Sequence, residues 1–147
     1  MPSTRDRVPA HTSDEINARI QQETADRVTH LAQFRDQIPK RLRELDDEWD
    51  IERMIEANAS TLAFIGTALG FFVHPYWLAI PAIVTAFLFQ HAVQGWCPPV
   101  PILRRIGFRT SYEIQEEAYA LKAIRGDFEN VAREPGGALT ALQAARA

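Results

Sequence analysis

The chain has 147 residues, enough for one domain of ordinary size, and its mean hydropathy of -0.21 is, as an average, that of a soluble protein. A net charge of -3, a single cysteine and the lack of zinc-finger spacing or a long basic block exclude a disulfide framework and argue against a nucleic-acid partner. The average hides a segregation, because the 16 Lys and Arg and the 19 Asp and Glu all lie at or before Glu56 or at or after Arg104. Residues 57–103 are therefore a run of 47 without a formal charge. A membrane helix takes about 20 mainly apolar residues, so the run has room for two helices and not three. No apolar stretch precedes it, so the sequence predicts no cleavable secretory signal and leaves insertion to the hairpin itself.

In chain order, residues 1–12, with Pro2 and Pro9, show no apolar period and are expected to be a mobile tail. Residues 13–56 read as amphipathic helices. Thr12 and Glu15 have capping-box spacing, and Ile16, Ile20, Val28, Leu31 and Phe34 recur on one side while Arg19, Glu23, Asp26, Arg27 and Arg35 take the other. Pro39 predicts a break, with a second helix from Lys40 whose stripe is Leu42, Leu45 and Trp49. That helix either runs straight into the apolar segment or joins it through a bend.

Residues 57–97 are predicted to form a transmembrane hairpin with spans at about 57–73 and 76–95. His74-Pro75 is the turn, and Tyr76, Trp77 and Trp96 are aromatic rings suited to a membrane surface. Lys40, Arg41, Arg43 and Arg53 precede the first span, Arg104, Arg105 and Arg109 follow the second, and the turn carries no cation. The positive-inside rule then places both termini in the cytoplasm. Residues 98–134 are read as an interfacial segment, because Pro98, Pro99 and Pro101 oppose a regular helix, followed by an amphipathic helix with a Thr110 and Glu113 capping box. Its apolar side is Ile114, Leu121, Ile124 and Phe128. Residues 135–147 are expected to be a second mobile tail.

Two groups inside the apolar run point to packing or function. Gly66 and Gly70 are spaced Gly-x-x-x-Gly, Ala59 and Ala63 extend that small face, and Ala79, Ala82 and Ala86 answer from the second span. Small faces let helices approach closely in lipid, within the hairpin or against another subunit. Gln90, Gln94 and Cys97 recur at i, i+4 and i+7, with Asn58, Ser60 and Thr61 at matching depth on the first span. Buried amides need partners, so hydrogen bonding across the hairpin is expected; the sharper reading is a polar vestibule presenting Cys97 to a sulfur, redox or metal substrate. A nucleophilic Cys97 would need a base, and His91, six positions away, is a weak candidate. His74 and His91 are about 25 Å apart along a helix, too far to share a haem iron. No catalytic residue, cofactor or metal ligand is assigned.

Asp50-Ile51-Glu52-Arg53, a Gly-bearing apolar span, a second span and Gly95-Trp96-Cys97-Pro98 together resemble the YgaP-like inner-membrane transmembrane domain family over residues 50–103. Glu52, Arg53, Cys97 and Pro98 are its most recognisable marks. The resemblance implies a bacterial two-helix membrane domain of unknown function, sometimes joined to a rhodanese module, and no such module is expected within these 147 residues. Pro99 departs from the family, which usually has an apolar residue there.

The sequence is thus read as an all-α membrane protein, a two-helix transmembrane hairpin with amphipathic cytoplasmic helices before and after it. The expected role is a non-enzymatic scaffold or accessory subunit of the inner membrane, in contact with the bilayer and with itself or another membrane protein. The alternative is a thiol-dependent sulfur or redox accessory using Cys97. A soluble bundle with the hairpin as its core is a third reading, because charge-free helices can also be buried in protein.

Overall fold

The computed structural model describes residues 3, 5–129, 131 and 137–146. These residues are all-helical, with no strand among them. The helices are α1 (Asp14–Gln33), α2 (Ile38–Asp47), α3 (Ile51–Phe72), α4 (Ala79–Gln94), α5 (Val100–Ile106), α6 (Ser111–Arg125) and α7 (Gly137–Arg146). The chain divides into two compact units, the first made of Met1–Ile20 with Trp49–Ser111 and the second of Gln21–Glu48 with Tyr112–Ala147.

The first unit is built on α3 and α4. The bend ahead of the hairpin lies at residues 48–50: Glu48 is extended, and Asp50 caps α3 by accepting from the Arg53 N–H at 2.7 Å. At the far end the His74 Nδ1 accepts from the Tyr76 N–H, and Pro75–Leu78 make a 3-10 turn before α4 begins. Two helical stretches, one ending at Phe72 and the other Pro75–Gln94, are long and apolar enough to cross a membrane. Only 17% and 6% of their apolar windows are buried by protein.

Three expectations need correcting here. Residues 5–12, read as a mobile tail, are ordered: a 3-10 turn at Pro9–His11 follows Val8, which is 1% exposed in a core with Ile51, Ile55, Cys97, Val100 and Leu103. One valine has no period to display, so sequence pattern cannot reveal it. Thr12 forms no capping box; its hydroxyl donates to the Val8 carbonyl at 2.9 Å, tightening the same turn. Pro98, Pro99 and Pro101 do not prevent a helix, because Pro99 is the N-cap of α5 and Pro101 lies in its first turn, where the missing N–H has no intrahelical partner anyway. Helix α5 turns Val100 and Leu103 inward and leaves Ile102 and Ile106 exposed.

In the second unit, the later part of α1 packs with α2 and α6 around Leu31, Ile38, Leu42, Leu45, Ile114 and Leu121. Leu31, Leu42, Leu45, Ile114 and Leu121 of the predicted stripes therefore supply the core, whereas Phe34 and Trp49 of those stripes are exposed. Pro39 sits in the first turn of α2, which starts at Ile38, two residues before the predicted restart. Glu117 is fully buried, accepting from the Arg41 Nε at 2.8 Å and pairing with Arg27 at 3.3 Å, so one carboxylate ties α6 to α1 and α2. The second expected tail is helical from Gly137 to Arg146, where Lys122 donates to the Ala145 carbonyl at 2.9 Å. Positions 135, 136 and 147 of that tail lie outside the described residues, as does Pro2 of the first.

Candidate functional site

Three ionisable side chains of the first unit, Arg7, Glu52 and His91, come together where α3 starts and α4 ends. Helix α4 stops at Gly95, whose φ of +80° is the left-handed conformation glycine adopts without strain. A Cβ at Gly95 would lie 2.5 Å from the Arg7 carbonyl oxygen, so the N-terminal segment crosses directly over this glycine. From there the Arg7 guanidinium donates to the Ala92 carbonyl at 2.9 Å. Arg7 also acts electrostatically on Glu52 of α3 and on His91 of α4.

These side chains are poorly paired. His91 is buried, and neither ring nitrogen has a hydrogen-bond partner; Arg7 Nε and Glu52 Oε2 are likewise buried and unpartnered. Burial pushes the Glu52 carboxyl up, with the Asp50 charge adding to it, against backbone hydrogen bonding and the Arg7 charge. Among the described residues no cluster of three His, Cys, Asp or Glu could hold a metal ion.

Cys97, just beyond α4, is 2% exposed and lines a groove of about 270 Å³ with Ile55, Asn58, Leu62, Val84 and Leu88. The groove is almost wholly apolar. Burial pushes the Cys97 thiol up, the opposite of what a nucleophile needs. Arg104 gives the thiol no described contact: it is fully buried, donating to the Phe108 carbonyl at 3.2 Å and to the Asn17 side chain at 3.0 Å.

The predicted polar cluster is only partly assembled. Asn58 and Cys97 share the groove, but Gln90 donates to Gln94 along its own helix at 3.4 Å instead of bonding across the hairpin. Ser60 and Thr61 return their hydroxyl protons to the Ala57 carbonyl at 3.1 and 2.7 Å, which satisfies them within α3. The small-residue seam is also rearranged. Gly66 and Gly70 are buried, but a Cβ on Gly66 would meet Pro81 and Ile80 at 2.7 and 2.8 Å, and one on Gly70 would meet Leu78 at 2.5 Å. Ala79, Ala82 and Ala86 are exposed, and Ala59 and Ala63 are half-buried. The 3-10 turn at Pro75–Leu78 advances the chain at three residues per revolution, which changes the face α4 presents to α3.

Of the resemblance marks, Glu52 and Cys97 meet the N-terminal segment. Glu52 feels Arg7, Cys97 packs with Val8, and Gly95 lies under Arg7. Arg7 and Val8 are not among the predicted site residues, and His91 enters there only as a weak base for Cys97 and a rejected haem ligand; the sequence signal for Arg7 is no more than a cation near the start of the chain. The chain matches no family model, no curated protein and no solved structure.

Proposed function

We propose that the chain is a small integral protein of the inner membrane, with both termini cytoplasmic, that acts as a scaffold or accessory subunit without chemistry of its own. The observation that carries this reading is the outward face of the hairpin. Phe64, Phe71, Phe72, Val73, Tyr76, Ile83 and Phe89 are each more than half exposed, far more apolar surface than a protein facing water leaves uncovered. Lipid is the solvent that suits it. A soluble bundle would bury these side chains in protein.

Burial holds the Cys97 thiol protonated and the groove beside it is almost wholly apolar, which favours scaffolding over the Cys97-dependent alternative. Exposed Ala79, Ala82 and Ala86 form a face along which another membrane helix, from a second copy or a different protein, would approach most closely. The resemblance of residues 50–103 to YgaP-like membrane domains supports the same reading.

Cysteine accessibility in intact cells tests it. In a Cys97→Ser background, a cysteine at His74 should react with an impermeant thiol reagent, and cysteines at Ser13 and Thr140 should react only after lysis. Labelling of the terminal sites before lysis would reverse the topology, and release of the protein from membranes by alkaline carbonate would refute integral insertion.

A further inference from the structure

A second groove, of about 490 Å³, runs along the other flank of α3 and α4 and shares Ala59, Val84 and Leu88 with the first. Its mouth and its walls differ in chemistry. At the mouth stand Trp49, Arg53 and Glu56, just before the apolar run begins. Deeper, Ala63, Val84 and Leu88 form the walls, and the hydroxyls of Ser60 and Thr85 are already bonded to the carbonyls of Ala57 and Pro81 at 3.1 and 2.7 Å. The trench therefore offers a ligand little but hydrocarbon.

Arg53 lies with its guanidinium carbon 4.3 Å from the centre of the Trp49 ring, and among the described residues it forms no ion pair with a carboxylate. Glu56, three residues on and so on the same side of the helix, is exposed like Arg53 and acts electrostatically on His91. One positive and one negative charge thus stand exposed side by side at the top of an apolar trench. A ligand that fits needs a negative and a positive group a few ångströms apart above an aliphatic chain. A purely anionic lipid would satisfy Arg53 and be repelled by Glu56.

We propose that this groove holds one phospholipid with an amino headgroup, its phosphate on Arg53, its ammonium on Glu56 and an acyl chain along Ala63, Val84 and Leu88. This rests on the membrane reading above. Trp49 suits the same position, because indole rings favour the headgroup level.

The test uses the full-length protein in mild detergent, exposed to equal amounts of phosphatidylethanolamine and phosphatidylglycerol, with retained lipids counted and classified by native mass spectrometry. Wild type should retain one lipid and prefer phosphatidylethanolamine. Glu56→Gln, a change at an exposed position, should lower that preference about tenfold, the ratio one charge-assisted contact supports. Arg53→Gln should weaken retention of both classes, and Ala63→Leu should block the trench. Retention no greater than in Ala63→Leu, a preference for phosphatidylglycerol, or an unchanged preference in Glu56→Gln would each overturn the proposal. Carbonate extraction separates the two readings: protein that stays in the membrane yet retains no lipid refutes this site alone, and protein that is extracted refutes insertion as well.

Discussion

Arg7 donates to the carbonyl of Ala92 at 2.9 Å across 85 positions of sequence, placing a cation on the last turn of α4, where the carbonyls lack helical partners and the helix dipole is negative. Arg7→Met should therefore lower stability by about 1 kcal/mol. Val8→Ala, which empties space beside Cys97 and Ile51, should cost about 2 kcal/mol. Thermal unfolding in detergent followed by circular dichroism measures both. If neither variant moves the transition, the N-terminal segment does not hold the hairpin.

Gly95 and Gly107 both have positive φ, +80° and +109°, but only Gly95 has another backbone against it. Each substitution to alanine pays the left-handed penalty, about 1 kcal/mol. Gly95→Ala must also displace Arg7, so it should destabilise clearly more than Gly107→Ala. Equal melting temperatures for the two variants would contradict the close approach.

Gly70→Leu would drive a side chain into Leu78 and should reduce the yield of folded protein, whereas Phe71→Leu, at a position 80% exposed, should be tolerated. Size-exclusion chromatography and thermal aggregation in detergent distinguish them. Equal tolerance would mean that α3 and α4 are not in close packing at Gly70.

Glu117→Gln removes the charge that Arg27 and Arg41 share in the second unit. Loss of one partner from a buried ion group costs about 3 kcal/mol or more; here both arginines retain some solvent exposure, so about 2 to 3 kcal/mol is expected. A loss below about 0.5 kcal/mol in chemical unfolding would show that the triad is not coupled to stability.

Glu52 gives the pH dependence. Its folded carboxyl is raised, so the folded state holds its proton more tightly than the unfolded chain does. The stability from Glu52 is then fully present below its ordinary value of 4.5 and is lost as pH rises through the raised folded value. Glu52→Gln should abolish this decline and melt higher than wild type at neutral pH. Melting curves from acid to neutral pH check it; a parallel pH profile in the two proteins would refute the assignment.

Sequence alone determined the two apolar helices, because a run of 47 uncharged residues is a composition signal that no tertiary arrangement can erase. It also determined which sides of α1, α2 and α6 carry apolar residues, since Leu31, Leu42, Leu45, Ile114 and Leu121 repeat at helical spacing and all are buried. What only the tertiary structure decided was pairing between distant residues. The rotation of α4 depends on a 3-10 turn at Pro75–Leu78, so Gly66 and Gly70 meet Leu78, Ile80 and Pro81 instead of the alanines that share their size. The placing of Arg7 and Val8 on the end of α4 rests on one guanidinium, one valine and the missing Cβ of Gly95, three single residues too far apart to form a pattern. Local periodicity records which side of a helix is apolar; the partner that covers it is a property of chain segments brought together by folding.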